Sequence, residues 1–385
     1  MINLPVKKLS QGMVTAQSIY NSKGASYLTK GTSLNDQYIS RLKKLGVSHL
    51  TVTSINPSFH LLPPDDIVQE KTRVTAIHKV CDTFQEIEET GELNIDPLTE
   101  TAESILLDVI SQRSNLVQLT DIRMHDSYTF AHSVNVAILS AMLGALCGYS
   151  NKDLLDLVLG GLLHDIGKII IPAEILNKPS SLTQSEVDVV RLHPEAGRKK
   201  LRELNMLSSS LLAIIAAQHH EHMDGTGYPN HLTDEHIHRY ARITAIADVY
   251  DALTSNRPYK KAYKPNIAYK LMTRCSNGQF DEQLLALFFD NVALYPVGTI
   301  LKTELGYAIV KKTEFGRTRS PFICVFADGN AKLLPKPFDI DLAHYPLGTI
   351  GHVIEDIELF PLLFHLGVDP AIYLASEEPA AEQPL

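Results

Sequence analysis

Residues 152–168 read KDLLDLVLGGLLHDIGK, and this stretch decides the fold of the chain. Its apolar residues recur at the spacing of an α-helix. Toward its end the stretch carries, in an apolar setting, an imidazole and a carboxylate side by side, His164 and Asp165. Because burial of such groups is unfavourable unless something pairs with them, the stretch predicts a packed helix that delivers two polar ligands to an internal site.

Helical periodicity extends in both directions from this stretch, over about residues 97–292. The pattern predicts one all-α domain in the middle of the chain. Four further segments carry the pattern: LTETAESILLDVISQR (98–113), TFAHSVNVAILSAMLGALCGY (129–149), TQSEVDVVRLHPEAGRKKL (183–201) and SLLAIIAAQHH (210–220).

The residue pattern before the helical domain is different. Residues 1–60 predict a small α+β module, with short strand-like runs, a helix over 35–45 and a strand in HLTVT at 49–53. Residues 61–96 predict a proline-containing linker followed by an amphipathic connecting helix over 66–89. The connecting helix would lead the chain into the helical domain.

The region after the helical domain predicts a small β-rich module over residues 293–372, because short β-type runs alternate there with glycine and proline. YPVGTI at 295–300 recurs as YPLGTI at 345–350, which predicts that the module starts a strand in the same way twice. Residues 373–385 predict a disordered tail. The chain is therefore expected to be multidomain, with a central all-α helical bundle between two small modules.

Composition narrows the class of protein. The chain has 385 residues, 44% hydrophobic and 21% charged, which is ordinary for a globular protein. Its formal charge of −9 argues against binding to DNA, RNA or anionic membranes, so an anionic ligand would need a local basic cluster. The N-terminus lacks an apolar signal core and no apolar run is long enough to span a bilayer, which predicts a cytoplasmic protein without membrane insertion. Four cysteines without a CxxC pair predict reduced thiols.

Potential metal ligands concentrate in the middle of the chain, where ten of the 16 histidines fall between His125 and His238. A lone histidine is more often a packed or surface residue than a ligand. Imidazole and carboxylate together suit iron, manganese, nickel or zinc, and seven ligands are too many for one ion. Five separated segments offer them: His132; His164 with Asp165; His193; His219 with His220; and Asp248.

Two metal ions are therefore implied. Two ions about 3.5 to 4 Å apart can hold a bridging hydroxide and stabilise both the attacking and the leaving oxygen of an in-line phosphoryl displacement. Adjacent residues on a helix point roughly 100° apart. One member of such a pair can thus bind one ion while a carboxylate bridges both.

The order of these motifs closely resembles the HD-GYP family of bacterial cyclic dinucleotide phosphodiesterases. The resemblance implies an HD-domain helical bundle and hydrolysis of cyclic di-GMP to pGpG or GMP by a dinuclear, metal-bridging hydroxide. It covers about residues 97–292. Some members carry a glutamate for a third metal where this chain has Tyr128, so two ions are expected, iron or manganese first, with nickel or zinc open. The motifs are HDIGK (164–168), LHPEAG (192–197), HHEHMDGTGYP (219–229) and IADVYDALTSNRPYK (246–260).

The resemblance also implies roles for single residues. The seven ligands above would hold the metals, with Asp165 and Lys168 in the catalytic centre. Lys168, four residues after His164, would lie one turn further along the same helix and meet the scissile phosphate. Glu221 and Asp224 would orient the histidines or cap the turn, and His222 is expected to be exposed. The expected substrate contacts are Lys168, Arg257, Lys260, Asp126 and Asp251, with surface or capping roles open for the two aspartates, and Gly227, Tyr228 and Pro229 would form a recognition loop for substrate or a partner.

Two other functions stay open at this point. One is a 3′,3′-cyclic GMP-AMP phosphodiesterase, because no residue shows which base is read. The other is a weakly active or inactive signalling adaptor that acts through protein contacts of the GYP loop. A diguanylate cyclase with a GGDEF domain and a second copy of this chain are the protein partners considered.

Overall fold

The computed structural model describes residues 2–16, 18–20, 26–45, 47, 49–53, 67–111, 123–124, 128–176, 178, 180–203, 209–255, 262–275, 278–346 and 349–374. The chain divides into two compact units. The helical unit comprises residues 22–24 and 66–289, and the mixed unit comprises residues 1–21, 25–65 and 290–385.

Helices make up most of the helical unit, as the periodicity predicts. The α-helices of the described chain are α1 (Asp36–Lys44), α2 (Glu70–Thr90), α3 (Asp96–Ser111), α4 (Tyr128–Leu146), α5 (Asn151–Leu163), α6 (Ala173–Leu176), α7 (Gln184–Val190), α8 (His193–Arg202), α9 (Ser209–Gln218), α10 (Arg239–Thr254), α11 (Pro265–Lys270), α12 (Glu282–Asn291) and α13 (Asp356–Leu366). Shorter 3₁₀ turns are Val6–Lys8, Ile166–Ile170, Asp234–His236, Leu342–His344 and Pro370–Leu374, and Leu271–Cys275 forms a π turn.

Strands are short and lie mainly in the mixed unit. They are β1 (Ile2–Pro5), β2 (Ile19–Tyr20), β3 (Ser26–Leu28), β4 (His49–Val52), β5 (Arg123–Met124), β6 (Ile300–Thr303), β7 (Gly306–Lys312), β8 (Phe322–Ala327), β9 (Leu333–Asp341) and β10 (Ile350–Val353).

The helical unit is built around α4, α5, α9 and α10, which pack on one another in its interior. Local sequence signals mark the starts of α5, α7 and α8. Ser150 and Asp153 form a reciprocal capping box at the start of α5, and Thr183 and Glu186 form another at the start of α7. Pro194 occupies the first turn of α8, where its missing N–H is not needed.

The end of α5 departs from the sequence-based prediction. His164 caps α5 and Asp165 follows it, after which the chain tightens into the 3₁₀ helix Ile166–Ile170. Lys168 therefore lies on this 3₁₀ helix, and the expectation of one continuous α-helix beyond His164 is wrong. The reason is a close approach, because a Cβ on Gly167 would lie 1.9 Å from the carbonyl oxygen of His193. Gly167 thus lets this turn pack on the start of α8.

The mixed unit contains an antiparallel five-stranded sheet in the order β10-β6-β7-β8-β9. The repeated hexapeptide does start two strands in the same way. Ile300 begins β6 and Ile350 begins β10, and these strands pair with each other. In both copies the threonine before the strand donates its hydroxyl to a proline carbonyl, Thr299 to Pro296 at 2.6 Å and Thr349 to Pro346 at 2.8 Å.

One hydrophobic core joins the N-terminal and C-terminal parts of the mixed unit. Side chains from both ends of the chain pack in it, including Leu4, Leu50, Val52, Phe326 and Leu359. The opposite face of the sheet buries a second, smaller cluster that includes Val310 and Val325. The two flanking regions that the sequence suggests as separate modules thus share a core, while the predicted domain boundaries stay predictions. Of the predicted tail, Tyr373 and Leu374 belong to the last 3₁₀ turn, and the remainder lies outside the described residues.

Among the described residues, no helix is both long enough and apolar enough to cross a membrane.

Candidate metal centre

Seven polar side chains converge inside the helical unit from five separate places in the chain. The inner face of α4 provides one, the end of α5 two, the first residue of α8 one, the turn directly after α9 two, and the middle of α10 one. All except His220 are at most 7% exposed. In that order they are His132, His164, Asp165, His193, His219, His220 and Asp248, the set predicted from the sequence.

Asp165 lies at the centre of this cluster. Its Oδ2 is 3.3 Å from Nε2 of His164 and 4.0 Å from Nε2 of His132. Its Oδ1 is 3.4 Å from Nε2 of His193 and 3.8 Å from Nε2 of His219. Each carboxylate oxygen therefore faces a different pair of imidazoles.

Two groups of atoms that could hold a metal ion result, and they share Asp165. The first contains His132, His164 and Asp165, and the second contains Asp165, His193, His219 and His220; the ligand atoms of each group lie within 4.8 Å of one another. Asp248 lies between the groups, because its Oδ1 is 3.1 Å from Nε2 of His132 and its Oδ2 is 3.8 Å from Nδ1 of His220. Two ions, one held in each group, would share the Asp165 carboxylate.

Backbone carbonyls fix the orientation of three of the imidazoles. Nδ1 of His164 donates to the carbonyl of Gly161 at 2.7 Å, and Nδ1 of His193 donates to that of Val190 at 2.7 Å. Nδ1 of His219 lies 2.9 Å from the carbonyl of Ala216. Since a neutral imidazole that donates from Nδ1 carries its lone pair on Nε2, all three Nε2 atoms are free to bind a metal, which is how metal-binding histidines are usually held.

Two buried polar atoms without a hydrogen-bond partner among the described residues show that these side chains fit metal ions. Nε2 of His164 and Oδ1 of Asp165 are buried and make no hydrogen bond with the described part of the chain. Buried polar atoms are rarely left in this state, because the loss of water costs about 1–3 kcal/mol for each. Nε2 of His164 belongs to the first group and Oδ1 of Asp165 faces the second, so a cation in each group would satisfy both atoms.

The pKa shifts of most of these side chains favour the protonation states that bind a cation. Burial lowers the pKa of His193, and burial together with the neighbouring His220 holds the pKa of His219 well below its ordinary value. Burial likewise lowers the pKa of His220 to about 3. Burial would raise the pKa of Asp165, but its interactions with His164 and Lys168 outweigh this and hold the pKa well below the ordinary range. These groups are therefore neutral imidazoles and a carboxylate near neutral pH, the forms that bind metals.

His132 differs from the other histidines because two carboxylates hold it. Burial alone would lower its pKa, but hydrogen bonds with Asp248 and Asp251 outweigh burial and raise the pKa to about 9. Its Nδ1 lies 2.7 Å from Oδ2 of Asp251. Asp251 therefore stands behind His132 on the side away from Asp165 and fixes the ring with its Nε2 toward the cluster.

Lys168 and His220 mark the accessible side of the cluster. Nζ of Lys168 lies 2.5 Å from Oδ2 of Asp165, and its side chain is 26% exposed. The side chain of His220 is 25% exposed, whereas those of His164, His193 and His219 are nearly inaccessible. A ligand from solvent would therefore reach the cluster beside Lys168 and His220.

The GYP loop packs directly on His220. The Tyr228 ring stacks on the His220 ring, with centroids 4.7 Å apart and planes 22° apart, and the Tyr228 N–H donates to the His220 carbonyl at 3.0 Å. A Cβ on Gly227 would lie 2.3 Å from the backbone nitrogen of His222, so glycine is needed for this close packing. The Tyr228–Pro229 peptide bond is cis. The loop thus packs against a candidate metal ligand, and its expected role as a recognition surface stays a prediction.

Glu221 and Asp224 shape the same loop rather than adding ligands. The buried Glu221 carboxylate accepts backbone N–H groups of Asn230 at 2.7 Å and Leu232 at 2.9 Å, which ties the loop back to the end of α9. Asp224 accepts the backbone N–H of Thr226 at 2.9 Å. The capping role considered from the sequence is therefore what these two carboxylates perform.

The expected substrate contacts fall into two sets. Asp126, Arg257 and Lys260 lie outside the described residues. Asp251 is fully buried, and its oxygens accept from His132, Asn135 and Ser255. This arrangement leaves the Asp251 carboxylate facing protein donors rather than an open cleft.

His222 is half-buried, not exposed as expected. Its Nδ1 lies 2.9 Å from the Thr226 hydroxyl, and its Nε2 lies 3.0 Å from Nε2 of Gln279. The chain folds back on the loop at Gln279, a contact that no local pattern reveals.

Sequence reasoning also missed three polar residues around the cluster. Asn135 donates to Asp251, and Arg73 of α2 donates to Asn135. The guanidinium of Arg191 lies 5.2 Å from the centre of the Tyr228 ring. The available signal was polarity within apolar helices, since Asn135 interrupts the run SVNVAILSAML and Arg73 falls within the helical pattern of α2.

Comparisons with known proteins agree with this geometry. Residues 106–284 match the HD domain family. A cyclic di-GMP phosphodiesterase of Pseudomonas aeruginosa is 37% identical over 236 residues, which are 61% of this chain and 56% of that protein. A cyclic di-GMP phosphodiesterase response regulator of Xanthomonas campestris pv. campestris is 38% identical over 38% of this chain and 39% of its own length. A 3′3′-cGAMP-specific phosphodiesterase of Vibrio cholerae is 37% identical over 44% of this chain and 39% of its own length.

This chain thus spans less than two thirds of each of these relatives. The matched HD domain region, residues 106–284, contains all seven side chains of the cluster. Residues 106–284 are therefore similar to the HD domain family, and this region carries the ordered motifs HDIGK, LHPEAG and HHEHMDGTGYP.

Proposed function

We propose that this protein is a metal-dependent phosphodiesterase that hydrolyses a cyclic dinucleotide. The observation that carries the proposal is the pair of buried ligand groups that share Asp165. Two divalent ions bound there would supply an activated water and stabilise the negative charge of the phosphoryl group, which is the chemistry of two-metal phosphodiester hydrolysis. Iron and manganese are the ions we favour, because imidazole and carboxylate ligands together suit them.

The protein's own residues prepare this site in three ways. The backbone carbonyls of Gly161 and Val190 hold imidazoles with their Nε2 atoms directed inward. Burial keeps the other sides of these rings away from water. Lys168, on the accessible side, places an ammonium where an incoming phosphate would come closest to Asp165. In this proposal Lys168 binds the scissile phosphate and assists departure of the 3′ oxygen.

Further substrate contacts rest on the motif positions of Arg257, Lys260 and Asp126. Arg257 and Lys260 would bind phosphate oxygens and supply the local basic cluster that the acidic chain requires. Asp126 would face a base or the ligand backbone. We assign Asp251 to holding His132 and do not assign it a direct substrate contact.

Cyclic di-GMP is the substrate we propose first, with pGpG or GMP as the product. Two of the three relatives described above are cyclic di-GMP phosphodiesterases. The 3′3′-cGAMP-specific relative, at 37% identity, supports 3′,3′-cyclic GMP-AMP as a second candidate substrate. The two substrates share the phosphodiester ring and differ in one base, so they test specificity without changing the chemistry.

The experiment is a hydrolysis assay on anaerobically purified protein loaded with Fe²⁺ or Mn²⁺. Cyclic di-GMP, 3′,3′-cyclic GMP-AMP and pGpG are supplied separately and the products are separated by ion-exchange chromatography. The Asp165→Ala variant is the control, because it removes the shared ligand. Turnover of at least one cyclic dinucleotide by the wild type and none by the variant is expected. Absence of turnover by a protein shown to contain two ions would contradict the proposal.

The alternative of a signalling adaptor predicts a different outcome. A GGDEF-containing cyclase or another protein would then bind the GYP loop, and binding would persist in Asp165→Ala while hydrolysis by the wild type would be absent or very slow. Partner binding and self-association stay predictions, and sedimentation of the purified chain with and without a cyclase measures both.

A further inference from the structure

A chain of hydrogen bonds runs from the connecting helix α2 to the metal centre. Nη1 of Arg73 donates to Oδ1 of Asn135 at 2.6 Å, and Nδ2 of Asn135 donates to Oδ1 of Asp251 at 2.8 Å. The other oxygen of Asp251 lies 2.7 Å from Nδ1 of His132. Four side chains from three helices, α2, α4 and α10, thus end at one imidazole of the cluster.

The direction of each bond is fixed by chemistry. A guanidinium can only donate, so Arg73 must bind the oxygen of the Asn135 amide and thereby orient it. The NH₂ group of Asn135 then faces the Asp251 carboxylate, which can only accept. With Oδ1 of Asp251 held by Asn135, and also by the Ser255 hydroxyl at 2.8 Å, Oδ2 is left to accept from His132. The hydrogen-bonded series Arg73, Asn135, Asp251 and His132, which we call the relay, therefore directs Nδ1 of His132 toward Asp251 and its Nε2 toward the cluster.

Because the relay is buried, a change at one of its ends affects the hydrogen bonds at the other. Arg73 is 1% exposed, Asp251 is 0% exposed and His132 is 5% exposed, so water is excluded from both ends. A buried carboxylate that loses a donor carries an unfavourable charge, and its remaining bonds readjust. A change at Arg73 or Asn135 is thus transmitted to the ring of His132 through Asp251.

We propose that Arg73 and Asn135 are positioning residues that set the affinity of the metal centre for one of its two ions. This inference rests on the proposed two-ion centre. His132 belongs only to the group with His164 and Asp165, and not to the group with His193, His219 and His220. Loss of the relay would therefore weaken the ion of the His132 group and leave the other ion in place.

The test is a titration of the full, metal-free protein with Mn²⁺, followed by calorimetry and by metal analysis after dialysis. Wild type is expected to bind two ions. In Asn135→Ala and Arg73→Met one ion should bind as in wild type and the other about 10- to 100-fold more weakly, the usual effect of removing a hydrogen-bond partner behind a metal ligand. Arg73→Lys keeps a charged donor and should recover part of the lost affinity.

Matched controls separate this effect from general damage. Ser140→Ala removes a buried polar group from α4 whose hydroxyl makes no hydrogen bond with the described residues, and Lys79→Met removes an exposed cation from α2. Both should bind two ions like wild type. Circular dichroism and thermal unfolding show which variants fold. The conservative Arg73→Lys serves as the folded variant if Arg73→Met does not fold.

The outcomes are distinguishable. A wild-type protein that binds a single ion would contradict the two-ion centre of the proposed function. Two ions in wild type, with both affinities unchanged or both equally reduced in folded Asn135→Ala, would overturn the relay alone. Combining Asn135→Ala with His219→Ala should remove the remaining tight site, because each change affects a different ligand group.

Discussion

The Nε2 atoms of His193 and His219 face each other at 3.3 Å. Each ring already donates from Nδ1 to a backbone carbonyl, so both Nε2 atoms carry lone pairs and neither has a proton to share. Burial lowers the pKa of both rings, which opposes protonation as a remedy. Two facing lone pairs at this distance are best satisfied by a shared cation.

Removal of single ligands should therefore give unequal losses. Asp165→Ala is expected to lose both ions and all hydrolysis, because its two oxygens face both ligand groups. His219→Ala should lose one ion, since His219 belongs to one group only. Metal analysis per chain after dialysis measures both, with exposed His236→Ala as the control. One ion retained by Asp165→Ala would contradict the shared position of this carboxylate.

Lys168→Ala should separate metal binding from turnover. The ammonium lies 2.5 Å from Asp165 and carries no metal-ligating atom at neutral pH, so both ions are expected to remain. Loss of a charge that stabilises the transition state typically costs about 10²- to 10³-fold in kcat. Steady-state kinetics on the Mn²⁺-loaded protein measure this, with Lys199→Ala as an exposed control on α8. Unchanged kcat in Lys168→Ala would remove Lys168 from the catalytic centre.

The helical unit and the converging ligands were predictable from the sequence because both follow local rules. Apolar periodicity places α4, α5 and α9, and the ligand types stand out against apolar neighbours. The tight turn after His164 was not predictable, since it depends on Gly167 approaching the backbone of His193, 26 residues further along the chain. A helical pattern carries no information on such an approach.

The relay and the shared core of the mixed unit could not be predicted from the sequence for a related reason. Arg73 and Asn135 are 62 residues apart, and Asn135 and Asp251 are 116 apart. In the mixed unit, Leu4 and Leu359 enter one core from opposite ends of the chain. Each residue fits an ordinary local pattern: Asn135 is an amide in a helix, Leu4 is a leucine in a strand and Leu359 is a leucine in a helix. Only tertiary packing joins them.

Lowering the pH should weaken the interactions of Glu186 at the start of α7 over a defined pH range. The Lys178 ammonium and the Thr183 backbone lower the pKa of Glu186 from 4.5 to about 2. A carboxyl whose pKa is lower in the folded state stabilises the fold above its unfolded pKa, and this stabilisation is lost as the pH falls from about 4.5 through about 2. Helix α7 ends at Val190, whose carbonyl holds His193.

Glu186→Gln should therefore lower the thermal unfolding midpoint at pH 7, and the difference from wild type should shrink between pH 4.5 and pH 3. The effect should be small and reduced by salt, because the pair lies at the surface. Exposed Glu235→Gln is the control. A difference that stays constant over this pH range would show that the ion pair does not cause it.

Gly227→Ala tests whether the GYP loop acts through His220. The added Cβ would meet backbone atoms of His220, Glu221 and His222 at 2.3–2.5 Å, so the loop must move away. Such overpacking costs about 1–3 kcal/mol. The displacement would also lift the Tyr228 ring from His220, which lies 4.7 Å from it.

The ion of the group that contains His220 should then bind more weakly than in wild type, while the ion of the His132 group keeps its affinity. Calorimetric titration with Mn²⁺ resolves the two ions, and the fall in kcat should follow occupancy of the weakened one. Gly329→Ala is the matched control, because a Cβ there meets no atom within 4 Å. If Gly227→Ala keeps both affinities and loses only substrate or partner binding, the loop serves recognition, and its packing against His220 is incidental to the metal centre.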